Sequence, residues 1–203
     1  LIIEETNILS KQLINNTNNL TTRTEITLRN KNPLTVVELT KKDAIEQLQL
    51  LHKVSTNWMN FISELDNNYE KNDKLLNYHT ICKYTTQYVE NVCNNPTNQR
   101  VFIALSTDSH IHGIAIINII PKKQSKIELQ YLLGNPLLMD DVPSKGAGTA
   151  LVKKIGMLAQ ELEKTIILKT TPSAEGFYSN LGFTTKNGSM VLPPNKLETL
   201  FKK

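Results

Sequence analysis

A short loop with two glycines carries the residue types that bind phosphate groups through the backbone. Its six residues are Ser144, Lys145, Gly146, Ala147, Gly148 and Thr149. Glycines in a tight loop expose successive backbone N–H groups, and a helix that begins there adds partial positive charge. Such a loop suits a diphosphate, which accepts short, charge-assisted hydrogen bonds. The third glycine of a dinucleotide fingerprint and the Gly-Lys-Ser/Thr ending of a P-loop are both missing, so a simple turn before a helix is the alternative.

A second motif is centred on Tyr178, thirty residues after the second glycine of that loop. It predicts a short helix at 173–181 that ends before Gly182, a residue type common just after a helix. The helical spacing predicts that Phe177 and Leu181 face the core and that Tyr178 points to another side. A tyrosine that merely packs beside the end of a helix is the alternative to a functional hydroxyl.

The rest of the sequence predicts the elements that position these motifs. Short apolar and β-branched runs predict strands at 34–39, 100–106, 111–120, 126–134 and 165–168, and a closing hairpin at 183–192. Apolar residues at helical spacing predict one helix that begins at 40–43 and three others at 71–93, 149–163 and 173–181. The predicted order is strand, two helices, a three-strand meander, helix, strand, helix and hairpin. This order is typical of an α+β domain with a mixed, mostly antiparallel sheet.

Residues 1–33 differ in composition from the remainder. They contain Asn-rich and Thr-rich runs that are typical of a linker or a loosely attached arm. Their apolar residues could support one amphipathic helix. We therefore divide the chain into a polar N-terminal arm or linker at 1–33 and a domain at 34–203.

Length and composition are those of one ordinary globular domain. The chain has 203 residues, of which 39% are hydrophobic and 21% charged. These values exclude wholesale disorder, and the apolar runs are far shorter than the ~20 residues of a membrane-spanning helix. The formal net charge of +4 is dispersed along the chain, so we expect neither nucleic acid nor a membrane as a partner.

The two cysteines, Cys82 and Cys93, are eleven residues apart in a predicted helix. That spacing places them about 16 Å apart, too far for a disulfide within one straight helix. Free thiols are typical of a reducing compartment, so we expect a cytoplasmic protein. His110 and His112 alternate on a strand, but they lack a third ligand nearby; we expect a surface pair and no metal site.

Taken together, the loop and the tyrosine motif resemble the GNAT superfamily of N-acetyltransferases. The resemblance covers 34–192 in the order of the elements and is most specific at 127–183. His112-Gly113-Ile114-Ala115 is similar to the usual opening of the family's third strand, and Leu132-x-Gly134-x-Pro136 to the end of its fourth. The resemblance implies helices on both faces of the sheet.

The resemblance also implies acetyl-CoA as the acyl donor, with coenzyme A as product. In that family the glycine loop holds the pyrophosphate of the coenzyme. The cofactor-binding residues implied here are the six loop residues together with Leu132, Leu133, Gly134 and Thr171. Three departures stand out: Pro143 replaces an Arg or Gln, the loop at 137–145 is longer, and Thr171 replaces an Asn.

Two catalytic residues, Tyr178 and Glu128, follow from the resemblance. A lysine-like amine has a pKa about 3.4 units above neutral pH, so its deprotonation costs about 4–5 kcal/mol. Glu128, four residues before Leu132, is the expected base, and Tyr178 is the expected acid for the departing thiolate. A backbone N–H at Leu132 or Leu133 would meet the oxyanion. Neither cysteine lies near this site in the order of the chain, which favours direct transfer in a ternary complex.

The predicted function is acetyl-CoA-dependent transfer of an acetyl group to an amine. The acceptor could be a protein amine, a polyamine or another small amine, and the sequence does not predict the oligomeric state. One rival is a non-catalytic module with the same fold that binds acyl-CoA or a protein partner. The other is an unrelated protein that binds nucleotide phosphates with the same glycine loop.

Overall fold

The computed structural model describes residues 1–17, 23–27, 33–39, 45–65, 71, 73–94, 98–106, 110–121, 125–138 and 146–202. The strands are β1 (Arg23–Ile26), β2 (Leu34–Leu39), β3 (Gln99–Leu105), β4 (Ile111–Ile120), β5 (Lys126–Gly134), β6 (Thr165–Leu168), β7 (Thr184–Lys186) and β8 (Ser189–Leu192). The helices are α1 (Ile2–Thr17), α2 (Ile45–Leu65), α3 (Asp73–Asn94), α4 (Ala147–Glu161), α5 (Pro172–Asn180) and α6 (Leu197–Phe201). The predicted start of α2 at 40–43 lies outside the described residues.

The eight strands form one sheet in the order β1-β2-β3-β4-β5-β6-β8-β7. Of its seven pairings, only the one between β5 and β6 is parallel. The prediction of an α+β domain with a mixed, mostly antiparallel sheet is confirmed. The crossover from β5 to β6 runs through α4, as a parallel pair requires, because a hairpin cannot join parallel strands.

Helices cover both faces of the sheet and divide the core into two clusters. On one face, which we call the α4 face, buried side chains of α4, α5 and α6 pack against the strands. On the other, which we call the α2/α3 face, buried side chains of α1, α2 and α3 do so. The middle strand β4 is apolar almost throughout because both of its faces are covered: Ile114 and Ile116 point to one cluster, and Ala115 and Ile117 to the other.

Gly113 on β4 lets the start of α4 lie close to the sheet. A Cβ atom at this position would be 2.9 Å from the carbonyl oxygen of Leu133 and 3.3 Å from Cβ of Ala147. Both distances are shorter than ordinary van der Waals contacts, so any larger residue would push the helix or the strand away. The glycine therefore sets how near the first turn of α4 comes to β4 and β5.

The N-terminal segment is packed against the rest of the fold where it is described. Leu13 and Ile14 of α1 are buried in the cluster on the α2/α3 face. β1 pairs with β2 in antiparallel register, with Ile26 opposite Leu34. This segment thus adds a helix and an edge strand to the predicted order, and the domain boundary between residues 33 and 34 stays a prediction.

The closing hairpin has the turn that its sequence predicts. Asn187 and Gly188 both have positive φ angles, 51° and 74°, which is the requirement of a two-residue type I′ turn. Within the described residues, every helix is too short or too polar to span a bilayer.

Candidate active site

The sheet opens between β5 and β6. β5 pairs with β6 only over residues 126–129, and the last pair is Leu129 with Leu168. β5 then continues alongside β4 as far as Gly134. Among the described strands, residues 130–134 therefore have a paired strand on one side only. Successive N–H groups of a strand point to opposite sides, so one of Leu132 and Leu133 directs its N–H towards the opening. This is the donor that the sequence predicted for an oxyanion.

A β-bulge lies at the start of the opening. Ile116 of β4 is opposite Tyr131, but Ile117 is opposite Leu129, so Gln130 is an extra residue in β5. The bulge shifts the alternation of side chains by one. As a result Leu129 and Leu132 both contact the cluster on the α4 face, whereas Tyr131 contacts the cluster on the α2/α3 face.

The N-terminus of α4 supplies free backbone donors. Gly146 precedes the helix with φ 128° and ψ −16°, a conformation that favours glycine, and no side chain among the described residues caps the helix. The first intrahelical bond runs from the N–H of Ala150 to the carbonyl of Gly146, at 2.8 Å. The N–H groups of Ala147, Gly148 and Thr149 therefore have no partner within the helix. The predicted loop residues Ser144 and Lys145 lie outside the described part of the chain.

Gly148 is the point where three elements of the site meet. A Cβ atom at Gly148 would lie 3.2 Å from Cζ of Phe177 on α5 and 3.6 Å from Cδ2 of Leu132 on β5. The missing side chain leaves the backbone of the first helical turn accessible beside the opening of the sheet. These residues fit a diphosphate, because uncapped N–H groups and small side chains are what such an anion needs.

Tyr178 is more deeply buried than its neighbour Phe177, and the prediction that Tyr178 points away from the core was wrong. Phe177 and Leu181 do contact the cluster on the α4 face, as predicted. Tyr178 is only 8% exposed, and its ring makes edge contacts with Phe177 at 4.9 Å and Phe183 at 5.6 Å between centroids. Phe177 is half-buried because it leans over Gly148. A pair of aromatic edge contacts holds Tyr178 in the core on the α4 face.

Burial changes the acidity of the Tyr178 hydroxyl. Loss of solvent raises its pKa from 10.0 to about 12, since the phenolate would be poorly solvated there. The structure gives this hydroxyl no hydrogen-bond partner among the described residues. Tyr178 therefore keeps its proton throughout the physiological pH range.

Glu128 and Thr171 lie at different sides of the opening. Ile127 and Leu129 contact the α4 face, so the side chain of Glu128 between them points to the α2/α3 face, where it is half-buried. Thr171 is an exposed residue at the N-terminus of α5, with its hydroxyl 3.0 Å from that of Ser173. The two predicted catalytic side chains, Glu128 and Tyr178, thus belong to opposite faces of the sheet.

Some side chains near the site did not enter the sequence-based prediction. Gln130 donates through Nε2 to Oε2 of Glu128 at 3.5 Å. Tyr131 packs against Tyr84 and Tyr88 of α3. The i, i+4 spacing of Tyr84 and Tyr88 indicates in the sequence that both lie on one side of a helix. Their contact with Tyr131 depends on the bulge in β5, which leaves no pattern in the sequence.

Several other side chains have clear positions in the structure. Trp58 is fully buried in the cluster on the α2/α3 face. Cys82 is a free thiol in the same cluster, and burial raises its pKa to about 12; the side chain of Cys93 is not described. His112 is 4% exposed and not the surface residue that the sequence predicted, because both faces of β4 are covered; it is the extra residue of a second bulge, in β4.

Comparison with known proteins finds weak structural similarity. No protein-family model matches the chain, and no curated protein matches it. AtaTR bound with acetyl-CoA is 17% identical over 60% of this chain and 83% of its own, with a TM-score of 0.47. A variant of the toxin AtaT bound to the C-terminus of the antitoxin AtaR is 16% identical over 62% of this chain and 83% of its own, with a TM-score of 0.47. GCN5 of Tetrahymena is 19% identical over 58% of this chain and 68% of its own, with a TM-score of 0.42.

A putative acetyltransferase of the GNAT family from Desulfovibrio desulfuricans is 14% identical over 57% of this chain and 82% of its own, with a TM-score of 0.47. All four TM-scores are below 0.5 and all four identities below 25%. The strand order, the position of α4 between β5 and β6, and the opening of the sheet at β5 are properties of the chain itself. By these features the chain has the α+β fold that its sequence predicts, with a mixed, mostly antiparallel sheet between helices.

Proposed function

We propose that this protein is an acetyl-CoA-dependent N-acetyltransferase that moves an acetyl group to an amine by direct transfer in a ternary complex. The observation that carries the proposal is the meeting at Gly148 of an uncapped helix N-terminus, the opening of the sheet and α5. Each feature alone occurs in many proteins. Together they provide an anion site that lies next to a gap in the sheet lined by backbone donors.

The coenzyme would be held mainly by the backbone. The N–H groups of Ala147, Gly148 and Thr149 would bind the diphosphate, with Gly146 shaping the turn before them. Ser144 and Lys145 would complete that loop. Leu132, Leu133 and Gly134 would pair with the amide-rich arm of the coenzyme at the free edge of β5, and Thr171 would contact it from the start of α5.

Glu128 would act as the proton acceptor and Tyr178 as the proton donor. Acetyl-CoA supplies an activated acyl group when bound. Glu128 would take a proton from the acceptor amine, directly or through water, and so reduce the cost of presenting a neutral nucleophile. The N–H of Leu132 or Leu133 that faces the opening would stabilise negative charge on the carbonyl oxygen.

Tyr178 would serve as a hydrogen-bond and proton donor to sulfur. Its pKa of about 12 ensures that Oη carries a proton at every physiological pH. The same pKa makes it a weak acid: a thiol with a pKa of about 8.5 lies 3–4 units below it. Complete transfer of its proton to a free thiolate is therefore unfavourable by about 4–5 kcal/mol, so the hydroxyl would stabilise the departing sulfur chiefly by donating a hydrogen bond to it.

Cys82 does not suit an acyl-enzyme route. Burial raises its pKa to about 12, so almost none of it is thiolate at neutral pH. It is also fully buried in the cluster on the α2/α3 face, so its sulfur is inaccessible to a thioester. This supports direct transfer.

A non-catalytic module that binds acyl-CoA is the second candidate, favoured by one observation: Tyr178 is buried and its pKa is raised. Two measurements separate the functions. Thermal unfolding with acetyl-CoA, coenzyme A or ATP tests the ligand class; we expect stabilisation by both coenzyme forms. Stabilisation by ATP alone would contradict the proposal and favour a nucleotide-phosphate binder. Release of free thiol from acetyl-CoA across a panel of amines then distinguishes an enzyme from a binding module, which would release none.

A further inference from the structure

Three tyrosines form a cluster on the α2/α3 face beside the opening. Tyr84 and Tyr88 are one helical turn apart on α3, so their rings lie on the same side of that helix. The ring of Tyr131 stacks on Tyr84 with centroids 5.9 Å apart and packs at a tilt against Tyr88 with centroids 5.0 Å apart. Tyr84 is 46% exposed, so this tyrosine cluster is open to solvent.

The carboxylate of Glu128 lies next to the tyrosine cluster without a cationic partner. Gln99 donates through Nε2 to Oε1 of Gln130 at 3.3 Å, and Gln130 donates in turn to Glu128 at 3.5 Å. This chain of amides orients the carboxylate but leaves its charge in place. No lysine or arginine among the described residues pairs with Glu128.

Electrostatic effects indicate that the carboxylate and the rings are close together. Burial is the main reason why the pKa of Tyr131 is raised, and Tyr88, Tyr84 and Glu128 raise it further. A carboxylate can disfavour the phenolate of Tyr131 only if it lies near that ring. The region is therefore electron-rich: three π faces and one uncompensated negative charge.

We propose that the rings of Tyr84, Tyr88 and Tyr131 bind an alkylammonium group of the acceptor, which the nearby negative charge of Glu128 attracts to the tyrosine cluster. Aromatic faces attract an organic cation within about 6 Å of the ring centroid, and a neighbouring carboxylate adds a direct charge interaction. No described residue supplies that cation, which leaves the place open to a ligand. The identification of the ligand as the acceptor rests on the proposed function.

The position of the site defines the class of acceptor. Tyr131 is one residue, or ~3.3 Å of strand, from Leu132 at the opening. The amine that reacts must be neutral and must lie at the opening, so a cation held by the tyrosine cluster is a second group on the same molecule. The acceptor is therefore an amine that carries a further alkylammonium group close to the reacting nitrogen, either in a diamine or in a lysine-rich peptide.

Binding of a simple organic cation tests the site without any turnover. The probes are choline and 3,3-dimethylbutanol, which have nearly the same shape and differ in charge; their affinities are measured by NMR titration of the full chain. We expect choline to bind about three- to thirty-fold more tightly. Tyr84→Leu should abolish most of this preference, whereas Tyr84→Phe, which keeps the π face, should retain it. Equal affinity for the two probes, or an unchanged preference in Tyr84→Leu, would overturn the proposal.

Turnover tests the role of the site in acceptor choice. With acetyl-CoA, 1,4-diaminobutane should have a kcat/KM about ten-fold above that of n-butylamine, mainly through KM, and Tyr84→Leu should remove the difference. A trilysine peptide that exceeds the diamine would identify a protein as the source of the ammonium group. Thiol release that is equal for both amines and insensitive to Tyr84→Leu refutes this inference and leaves the proposed function intact. No thiol release from any amine refutes the proposed function, and the choline titration still decides whether the cation site exists.

Discussion

Glu128 and Tyr131 lie on the same face of β5 although they are three positions apart in the sequence. In a regular strand, residues at odd spacing point to opposite faces. The extra residue Gln130 reverses the alternation between them, because Tyr131 pairs with Ile116 of β4 whereas Leu129 pairs with Ile117. The bulge thereby brings a carboxylate and an aromatic ring together on the α2/α3 face, where α3 contributes two more rings.

The first prediction concerns the hydroxyl of Tyr178. Tyr178→Phe removes the proposed acid but keeps a ring between Phe177 and Phe183, so folding should be preserved. We expect kcat to fall about 10²–10⁴-fold, as for loss of a general acid. Affinity for coenzyme A should change little, because the backbone of α4 supplies that binding. Steady-state thiol release and calorimetric titration with coenzyme A measure the two quantities; wild-type turnover in the variant would exclude Tyr178 as the acid.

The second prediction concerns stability at alkaline pH. Burial raises the pKa of Tyr178 from 10.0 to about 12 and that of Cys82 from 9.0 to about 12. Between the unfolded and folded pKa values the folded state binds more protons, so the free energy of unfolding must fall as pH rises. Below about pH 9 neither group contributes any pH dependence. The decline should therefore begin above pH 9 and steepen between pH 10 and 12.

Urea unfolding at pH 9 and at pH 11 measures this decline. One pKa unit corresponds to about 1.4 kcal/mol, so Tyr178 contributes at most about 3 kcal/mol across its window. Tyr178→Phe should remove that contribution. The urea midpoint of the variant should therefore fall less between pH 9 and pH 11 than that of the wild type. An identical loss of stability in both proteins would contradict the burial of the hydroxyl.

The third prediction uses two substitutions of Gly146. Its φ of 128° strains any other residue by about 1–3 kcal/mol, so Gly146→Ala and Gly146→Asp should both destabilise the fold. Aspartate is the better residue at a helix N-terminus, because its charge interacts favourably with the helix dipole. Gly146→Asp should therefore be the more stable variant of the two.

For coenzyme binding the order of these two variants should be reversed. The aspartate places a negative charge beside the diphosphate, so Gly146→Asp should bind coenzyme A more weakly than Gly146→Ala. Calorimetry measures the affinities, and chemical denaturation measures the stabilities. Equal affinities in the two variants would refute the assignment of this loop to the diphosphate.

The fourth prediction concerns the contact between α4 and the sheet. Gly113→Ala would place a Cβ atom 2.9 Å from the backbone oxygen of Leu133, a contact that no flexible side chain can relieve. We expect a loss of about 1–3 kcal/mol in the free energy of unfolding. Gly176→Ala on α5 is the matched control, since no atom lies within 4 Å of its Cβ position, and it should gain about 0.4–1 kcal/mol. Urea denaturation compares them, and a neutral Gly113→Ala would mean that α4 can move away from β4 at no cost.

The order of the elements could be predicted from the sequence because it is encoded locally. β4 and β5 cover 111–120 and 126–134 both in the prediction and in the structure, since apolar runs and the turns between them depend on neighbouring residues. The same holds for the turn at Asn187-Gly188 and for Gly146 at the start of α4, where backbone conformation dictates the residue type.

Only the tertiary structure decided which side chains share the site. The bulge at Gln130 depends on pairing with β4, and the packing of Tyr178 between Phe177 and Phe183 depends on aromatic contacts formed after folding. Because the period of a strand is two, one extra residue moves every later side chain to the other face. The alternation of apolar and polar residues in the sequence does not reveal such an insertion. For that reason the neighbours of Glu128 became visible only in the folded sheet.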